Sequence, residues 1–144
     1  LVGAGTVLDE RQLEQAVRAG SQFIVSPGFT PNLARAAGAH GVPLLPGAVT
    51  PTEVLAARDA GITTLKFFPA QQSGAVPMLQ AFVAPLPEIV FCPTGGITMA
   101  NAGDYLALPN VLCVGMSSIV APGRLAAQDW PAIRAAAAAA RALR

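Results

Sequence analysis

Six apolar, strand-like runs recur along the chain, each closed by a glycine or proline and followed by a helix-start signal. The closing residues are Gly5, Gly28, Gly47, Pro69, Gly95 and Gly115. Strands that alternate this regularly with helices pair in parallel and are joined by right-handed crossovers. The pattern therefore predicts an α/β fold in one domain over residues 1–144. In such folds chemistry gathers beyond the carboxyl ends of the strands.

The pattern gives approximate element bounds but does not decide whether the sheet is open or closes into a barrel. The predicted strands are residues 1–6, 23–25, 43–47, 63–68, 89–93 and 111–114. Helix starts are predicted at Asp9, at Thr30-Pro31, at the Thr50–Glu53 capping box and at Thr98, with a final Ala-rich helix from about Asp129. A doubly wound open sheet fits 144 residues, whereas a (β/α)₈ barrel usually needs about 250 but better explains the short loops at the strand ends.

Composition excludes several classes of function. Charged residues make up only 12% of the chain, the net charge is +1, and no basic run suggests a nucleic-acid or acidic-membrane partner. No apolar stretch approaches the length that spans a bilayer. Cys92 and Cys113 lie in apolar runs without metal-ligand spacing, which predicts buried thiols in a cytoplasmic protein and no metal site.

Lys66 is the only lysine among nine basic residues, and it lies inside the apolar run Thr64-Leu65-Lys66-Phe67-Phe68-Pro69. Arginine stays protonated in proteins, whereas a lysine amine can lose its proton and become a nucleophile. With an ordinary pKa of about 10.4, a lysine is neutral in roughly one molecule in 2,500 at pH 7, so burial has to disfavour the ammonium form. From these residues alone, a nucleophile and a snorkelling structural lysine remain open alternatives.

The last two predicted strands end in the turns Thr94-Gly95-Gly96 and Gly115-Met116-Ser117. Glycines let backbone N–H groups approach an anion, and a serine hydroxyl adds a donor. Two such ends in consecutive units, after a buried lysine, predict a phosphate site at this edge of the sheet. A lone Gly-Gly is more often only a turn.

Five motifs together resemble the 2-keto-3-deoxy-6-phosphogluconate (KDPG) aldolase family, which also handles 4-hydroxy-2-oxoglutarate. They are Gly3-Ala4-Gly5-Thr6-Val7, Ser26-Pro27-Gly28, Pro46-Gly47, Lys66-Phe67-Phe68-Pro69-Ala70 and Phe91-Cys92-Pro93-Thr94-Gly95-Gly96-Ile97. The resemblance implies a (β/α)₈ barrel, usually assembled as a homotrimer. The six units would then correspond to strands three to eight, with the first two βα units missing.

The resemblance also implies site residues and a mechanism. Lys66 would form the Schiff base, Thr6, Pro27, Phe68 and Thr94 would bind the keto acid, and Gly95, Gly96, Gly115 and Ser117 would bind the phosphate. Met116 departs from the family pattern, because many members have a second glycine there. The reaction implied is class I aldol cleavage of KDPG to pyruvate and glyceraldehyde 3-phosphate, a step of the Entner–Doudoroff pathway, or of 4-hydroxy-2-oxoglutarate to pyruvate and glyoxylate. The imine itself is the electron sink, so no metal or other cofactor is required.

Such a mechanism needs a general acid/base, which the family takes from a glutamate on strand two. The chain's own candidates, Glu10, Glu14, Glu53, Glu88 and His40, all fall at structural or solvated positions of the predicted pattern. Two main interpretations follow. The chain is the larger part of an aldolase, or it is a catalytically defective remnant that binds keto acids or phosphates or only assembles with itself. A weaker third is a different phosphate-binding barrel in which Lys66 is only a charge contact.

Overall fold

The computed structural model describes residues 1–143, which alternate between helices and short strands. The α-helices are Glu10–Arg18 (α1), Pro31–His40 (α2), Pro51–Asp59 (α3), Ala75–Phe82 (α4), Ala102–Leu106 (α5), Pro122–Ala126 (α6) and Trp130–Arg141 (α7). The strands are Ile24–Val25 (β1), Leu44–Leu45 (β2), Gly47–Ala48 (β3), Thr64–Phe67 (β4) and Val90–Pro93 (β5). Short 3₁₀ turns span Gln71–Ser73 and Ser117–Val120.

These residues form two compact units. The first comprises Leu1–Phe68 with Glu88–Phe91, and the second comprises Pro69–Pro87 with the chain from Cys92 onward. The α/β class is confirmed, and the description of the chain as one domain stays a prediction.

The β1–β2 and β3–β4 pairs are parallel, as predicted. β1 pairs with β2, and a second sheet has the order β3-β4-β5. The predicted third strand is divided at Pro46, because Leu44–Leu45 pairs with β1 while Gly47–Ala48 pairs with β4. Within each of the two sheets, each strand lies beside the next one along the chain.

The predictions of a first strand over residues 1–6 and of a sixth strand over residues 111–114 were wrong. The run over residues 1–6 contributes only an isolated parallel bridge from Ala4 to Ile24, and Leu1 and Val2 are exposed. The run over residues 111–114 forms no strand either, although the next residue, Gly115, bridges Thr94. Strand propensity depends on burial and on packing against neighbouring strands, and both runs are largely exposed, as at Leu1, Val2 and Leu112.

Apolar side chains of the first unit pack between its helices and strands. A buried cluster joins α1, α2 and β1 through Leu13, Leu33 and Ile24, each at most 2% exposed. Full burial of one such side chain stabilises a fold by about 1.5–3 kcal/mol. This cluster fixes the helices against the strands whose ends carry the candidate site.

The predicted N-terminal caps of the first three helices are confirmed. Asp9 accepts a hydrogen bond from the Gln12 N–H, Thr30 accepts one from the Leu33 N–H, and Thr50 with Glu53 forms a complete capping box. The expectation that Thr98 caps the next helix was wrong, because α5 begins only at Ala102. Thr98 instead donates its backbone N–H to the Asn101 side chain.

Cys92 is buried as predicted, whereas Cys113 is exposed and contradicts the expectation of two buried thiols. Within residues 1–143, no helix combines the length and apolar character needed to cross a membrane.

We expect Glu53→Gln to lower stability in a pH-dependent way. The Glu53 carboxylate accepts the N–H groups of Thr50 and Val49, each at 2.8 Å, and these bonds hold the pKa of that carboxyl below its usual 4.5. A lowered pKa stabilises the fold above 4.5, and this contribution is lost as the pH falls through the folded-state value. At pH 7 the variant should lose about 0.3–1 kcal/mol of unfolding free energy.

The loss should disappear in urea melts at successively lower pH. Glu14→Gln is the control, because the Glu14 carboxylate pairs with Arg18 on the exposed surface. A difference in unfolding free energy between Glu53→Gln and the parent that stays constant across the whole pH range would contradict the role assigned to the Glu53 carboxylate.

Candidate active site

Lys66 lies on β4 and is 9% exposed. Its backbone N–H donates to the Pro46 carbonyl at 2.8 Å, and the strand register sets Lys66 opposite Gly47. Phe68 directly follows β4, in the turn that ends the strand. The Nζ atom lies 4.2 Å from the centroid of the Phe68 ring. The structure therefore confirms a buried amine beside an aromatic ring.

The neighbours of Lys66 on the strand hold β4 in place from its other face. Leu65 and Phe67 are fully buried. The Phe67 ring meets the Phe91 ring edge to face, with centroids 6.0 Å apart and planes at 84°. Because successive side chains alternate between faces, this anchoring fixes the side to which Lys66 projects.

Gly47 brings the strand beside Lys66 into contact with Pro27. It is buried, and a Cβ atom built on it would overlap the carbonyl group of Pro27. Only glycine fits, so the close approach of these two strand ends depends on this residue. The sequence included Pro46-Gly47 as a motif without assigning it a role, because a requirement for zero side-chain volume leaves no other mark on a sequence.

Thr6 has a backbone φ of +61°. A β-branched residue in the left-handed region is strained, and strain of this kind concentrates at functional sites. The flanking backbone holds the conformation, since the Val7 N–H donates to the Val25 carbonyl and the Val25 N–H donates to the Ala4 carbonyl. Ala75 and Gln128 also have positive φ, and Thr6 is the β-branched residue of these three.

In the second unit, Thr94 and Gly115 are in direct contact. A Cβ on Gly115 would lie 2.5 Å from the Thr94 Oγ1, so this strand end also requires glycine. The Thr94 hydroxyl donates to the Cys92 carbonyl at 3.2 Å. A contact from Thr94 to a substrate carboxylate therefore has to come from its backbone, or the hydroxyl has to turn away from Cys92.

The Gly95–Gly96 turn has two consecutive residues with positive φ, +100° and +76°. Gln71 donates its N–H to the Gly95 carbonyl at 3.1 Å, and Ala70 donates its N–H to the Thr94 carbonyl at 2.8 Å. Ser117 is exposed and opens a 3₁₀ turn after Met116. The segment just after β4 therefore packs directly against the Gly95–Gly96 turn.

The sequence candidates for acid–base catalysis all occupy structural or solvated positions. Glu10 pairs with Arg35 at 3.3 Å, Glu14 with Arg18 at 3.4 Å, and Glu88 with Arg58 at 3.7 Å. Glu53 completes its capping box. His40 is the exposed last residue of α2. Within residues 1–143, no cluster of three or more His, Cys, Asp or Glu side chains is placed to hold a metal ion.

Four sequence-predicted residues, Thr6, Pro27, Lys66 and Phe68, belong to the first unit, and five, Thr94, Gly95, Gly96, Gly115 and Ser117, belong to the second. Sequence reasoning missed Gly47 in the first set. It also missed Gln71 and Asn101, which contact the glycine turn of the second unit, and Tyr105, which contacts Gln71.

The KDPG and KHG aldolase family model matches residues 1–136. The chain belongs to this family. It is 47% identical over 133 residues to the KHG/KDPG aldolase of Escherichia coli, a match that covers 92% of this chain and 62% of that protein. The 2-dehydro-3-deoxy-phosphogluconate aldolase of Dickeya dadantii is also 47% identical, over 95% of this chain and 64% of that protein. The chain thus spans about three fifths of these relatives.

A crystal structure of KDPG aldolase from Legionella pneumophila superposes with a TM-score of 0.94 and 41% identity, over 97% of this chain and 68% of that one. In that crystal, pyruvate was captured at low pH as a covalent carbinolamine intermediate. The KDPG and KHG aldolase architecture is therefore shared over nearly all of the present chain.

We expect Gly47→Ala to destabilise this chain by about 1–3 kcal/mol, because the added methyl overlaps the Pro27 carbonyl and forces two strand ends apart. Gly38→Ala is the matched control. Gly38 lies in α2 with nothing within 4 Å of its Cβ position, so alanine there should stabilise the helix by about 0.5–1 kcal/mol. Urea unfolding of both variants measures the difference. Equal stability of Gly47→Ala and the parent would contradict the close approach.

Proposed function

We propose that Lys66 is the imine-forming residue of a class I aldolase site that acts on 2-keto acids. The observation that carries the proposal is the burial of the chain's only lysine on β4, with Nζ over the Phe68 ring, in a member of the KDPG and KHG aldolase family. The carbinolamine formed by the Legionella pneumophila relative supports the same chemistry. In the proposed reaction the neutral amine adds to the C2 carbonyl, and the resulting hydroxyl leaves as water to give an iminium.

The iminium then accepts the electron pair of the C3–C4 bond. A base removes the C4 hydroxyl proton, the bond breaks, and the aldehyde product leaves with its new carbonyl. The remaining enamine is protonated at C3, and water hydrolyses the imine to release pyruvate and regenerate the amine. For KDPG the aldehyde is glyceraldehyde 3-phosphate, and for 4-hydroxy-2-oxoglutarate it is glyoxylate. The iminium supplies the electrophile, so the proposal includes no metal or other cofactor.

The remaining site residues have distinct proposed roles. Thr6, Pro27, Phe68 and Thr94 bind the keto acid, and Gly95, Gly96, Gly115 and Ser117 bind the phosphate group. The strained backbone of Thr6 and the close approach at Gly47 support the first set. The positive φ angles at Gly95 and Gly96, together with the packing of Thr94 on Gly115, support the second.

The proposed architecture is a (β/α)₈ barrel that takes six of its βα units from this chain and assembles as a homotrimer in the cytoplasm. The strand order within each sheet, in which each strand lies beside the next one along the chain, supports a barrel. The ion pairs of Glu10, Glu14 and Glu88 and the capping role of Glu53 support an acid/base from elsewhere in the family-length protein. Complete aldol cleavage is accordingly proposed for that protein, and imine formation for this chain.

Reduction with borohydride in the presence of pyruvate tests the proposal. We expect a stable adduct that peptide mass mapping places on Lys66, because borohydride reduces an imine to a secondary amine that cannot hydrolyse. The same map separates this product from one on the Leu1 α-amino group.

A double variant, Lys66→Arg with Arg134→Lys, is the matched control. It keeps one lysine in the chain and places it on an exposed position of α7. It should form no adduct above the level of the Leu1 amine. Absence of an adduct on Lys66 at saturating pyruvate, or equal trapping at the relocated lysine, would overturn the proposal.

A further inference from the structure

Two residues outside the sequence-predicted site, Asn101 and Gln71, contact the Gly95–Gly96 turn. The Asn101 Nδ2 donates to the Gly96 carbonyl at 3.1 Å. The Gln71 backbone N–H donates to the Gly95 carbonyl at 3.1 Å. The Gln71 Cβ also lies against the turn, since a Cβ on Gly96 would be 2.6 Å from it.

The orientation of the Asn101 amide is determined by its other contacts. Its Oδ1 accepts the Thr98 N–H at 2.8 Å and lies 3.3 Å from the Thr98 hydroxyl. A backbone N–H can only donate, so the oxygen must face Thr98 and the NH₂ group must face the Gly96 carbonyl. Asn101 therefore connects the turn to the start of α5.

Gln71 is held in turn by Tyr105. The Tyr105 hydroxyl donates to the Gln71 Oε1 at 2.8 Å, and the Tyr105 ring is 1% exposed on α5. Burial raises the pKa of this hydroxyl, and the neighbouring Asp104 carboxylate acts in the same direction, so it keeps its proton at neutral pH. A buried aromatic anchor thus fixes the side chain that packs on Gly96.

We propose that Asn101 and the Tyr105–Gln71 pair are positioning residues that hold the Gly95–Gly96 turn in its phosphate-binding shape. The inference rests on the proposed function, in which this turn binds the phosphate of the substrate. Two consecutive glycines with positive φ are intrinsically mobile, and an anion is bound tightly only when backbone N–H groups are already aimed at it. Asn101 and Gln71 supply that order through the carbonyl groups of the turn, and Tyr105 supplies it through Gln71.

Two conservative variants isolate the two contacts. Asn101→Asp keeps an oxygen facing the Thr98 N–H and replaces the donor to the Gly96 carbonyl with a second oxygen, but it also adds a negative charge, so the neutral Asn101→Ala is measured beside it and must show the same loss. Tyr105→Phe keeps the buried ring and removes only the hydroxyl that holds Gln71. Asn32→Asp is the matched control, because Asn32 lies on α2 and its side chain contacts Arg35.

Two readouts separate this inference from the proposed function. Calorimetric titration with glycerol 3-phosphate, which carries the phosphate end of the triose product, measures the phosphate affinity of the Gly95–Gly96 turn. Borohydride trapping of pyruvate, which has no phosphate, measures imine formation at Lys66. We expect each positioning variant to bind glycerol 3-phosphate roughly fivefold to tenfold more weakly, the effect of about one lost hydrogen bond. Pyruvate trapping and the Asn32→Asp control should match the parent.

Parent-like affinity for glycerol 3-phosphate in both positioning variants would overturn the inference, as would a parent that does not bind the compound at all. Equal loss of pyruvate trapping and glycerol 3-phosphate binding would also overturn it, because that pattern indicates general loss of structure. A parent that binds glycerol 3-phosphate but traps no pyruvate would refute the imine proposal, while the affinities of the variants would still decide the role of the turn.

Discussion

The burial of one amine on strand β4 is the constraint on which the rest of the candidate site depends. Removing a lysine from water is costly, and a strand tolerates it only where the surrounding fold compensates. Here the Phe68 ring face approaches the Nζ atom, while Leu65 and Phe67 anchor the opposite face of the strand. The bond from the Lys66 N–H to the Pro46 carbonyl fixes its register. A one-residue slip would turn Lys66 into the apolar layer.

Three glycines allow the backbone at the strand ends to pack closely against neighbouring residues. Gly47 allows contact with Pro27, Gly115 allows contact with Thr94, and Gly96 allows contact with Gln71. At each place a side chain would occupy space that a neighbouring strand end or loop already fills. The candidate binding groups can lie close together within their units because these positions carry no side chain.

The sequence predicted the parts of this structure that local chemistry determines. Helix caps at Asp9, Thr30 and Thr50 were found because a side-chain oxygen next to a helix start leaves a recognisable pattern. The strand around Lys66 was found from its apolar run. Strand formation at the two outermost runs, the start of α5 and the exposure of Cys113 depend on contacts made elsewhere in the fold. The clamp of Tyr105 on Gln71 joins residues 34 positions apart and has no local signature.

Nuclear magnetic resonance of the single lysine tests the central claim most directly. Because Lys66 is the only lysine, labelling lysine with ¹⁵N at Nζ gives one side-chain amine signal in the whole chain. Addition of pyruvate labelled with ¹³C at C2 should produce a one-bond ¹³C–¹⁵N coupling, which proves a covalent bond between the amine and the keto carbon. An unchanged ¹⁵N resonance at saturating pyruvate would contradict the account.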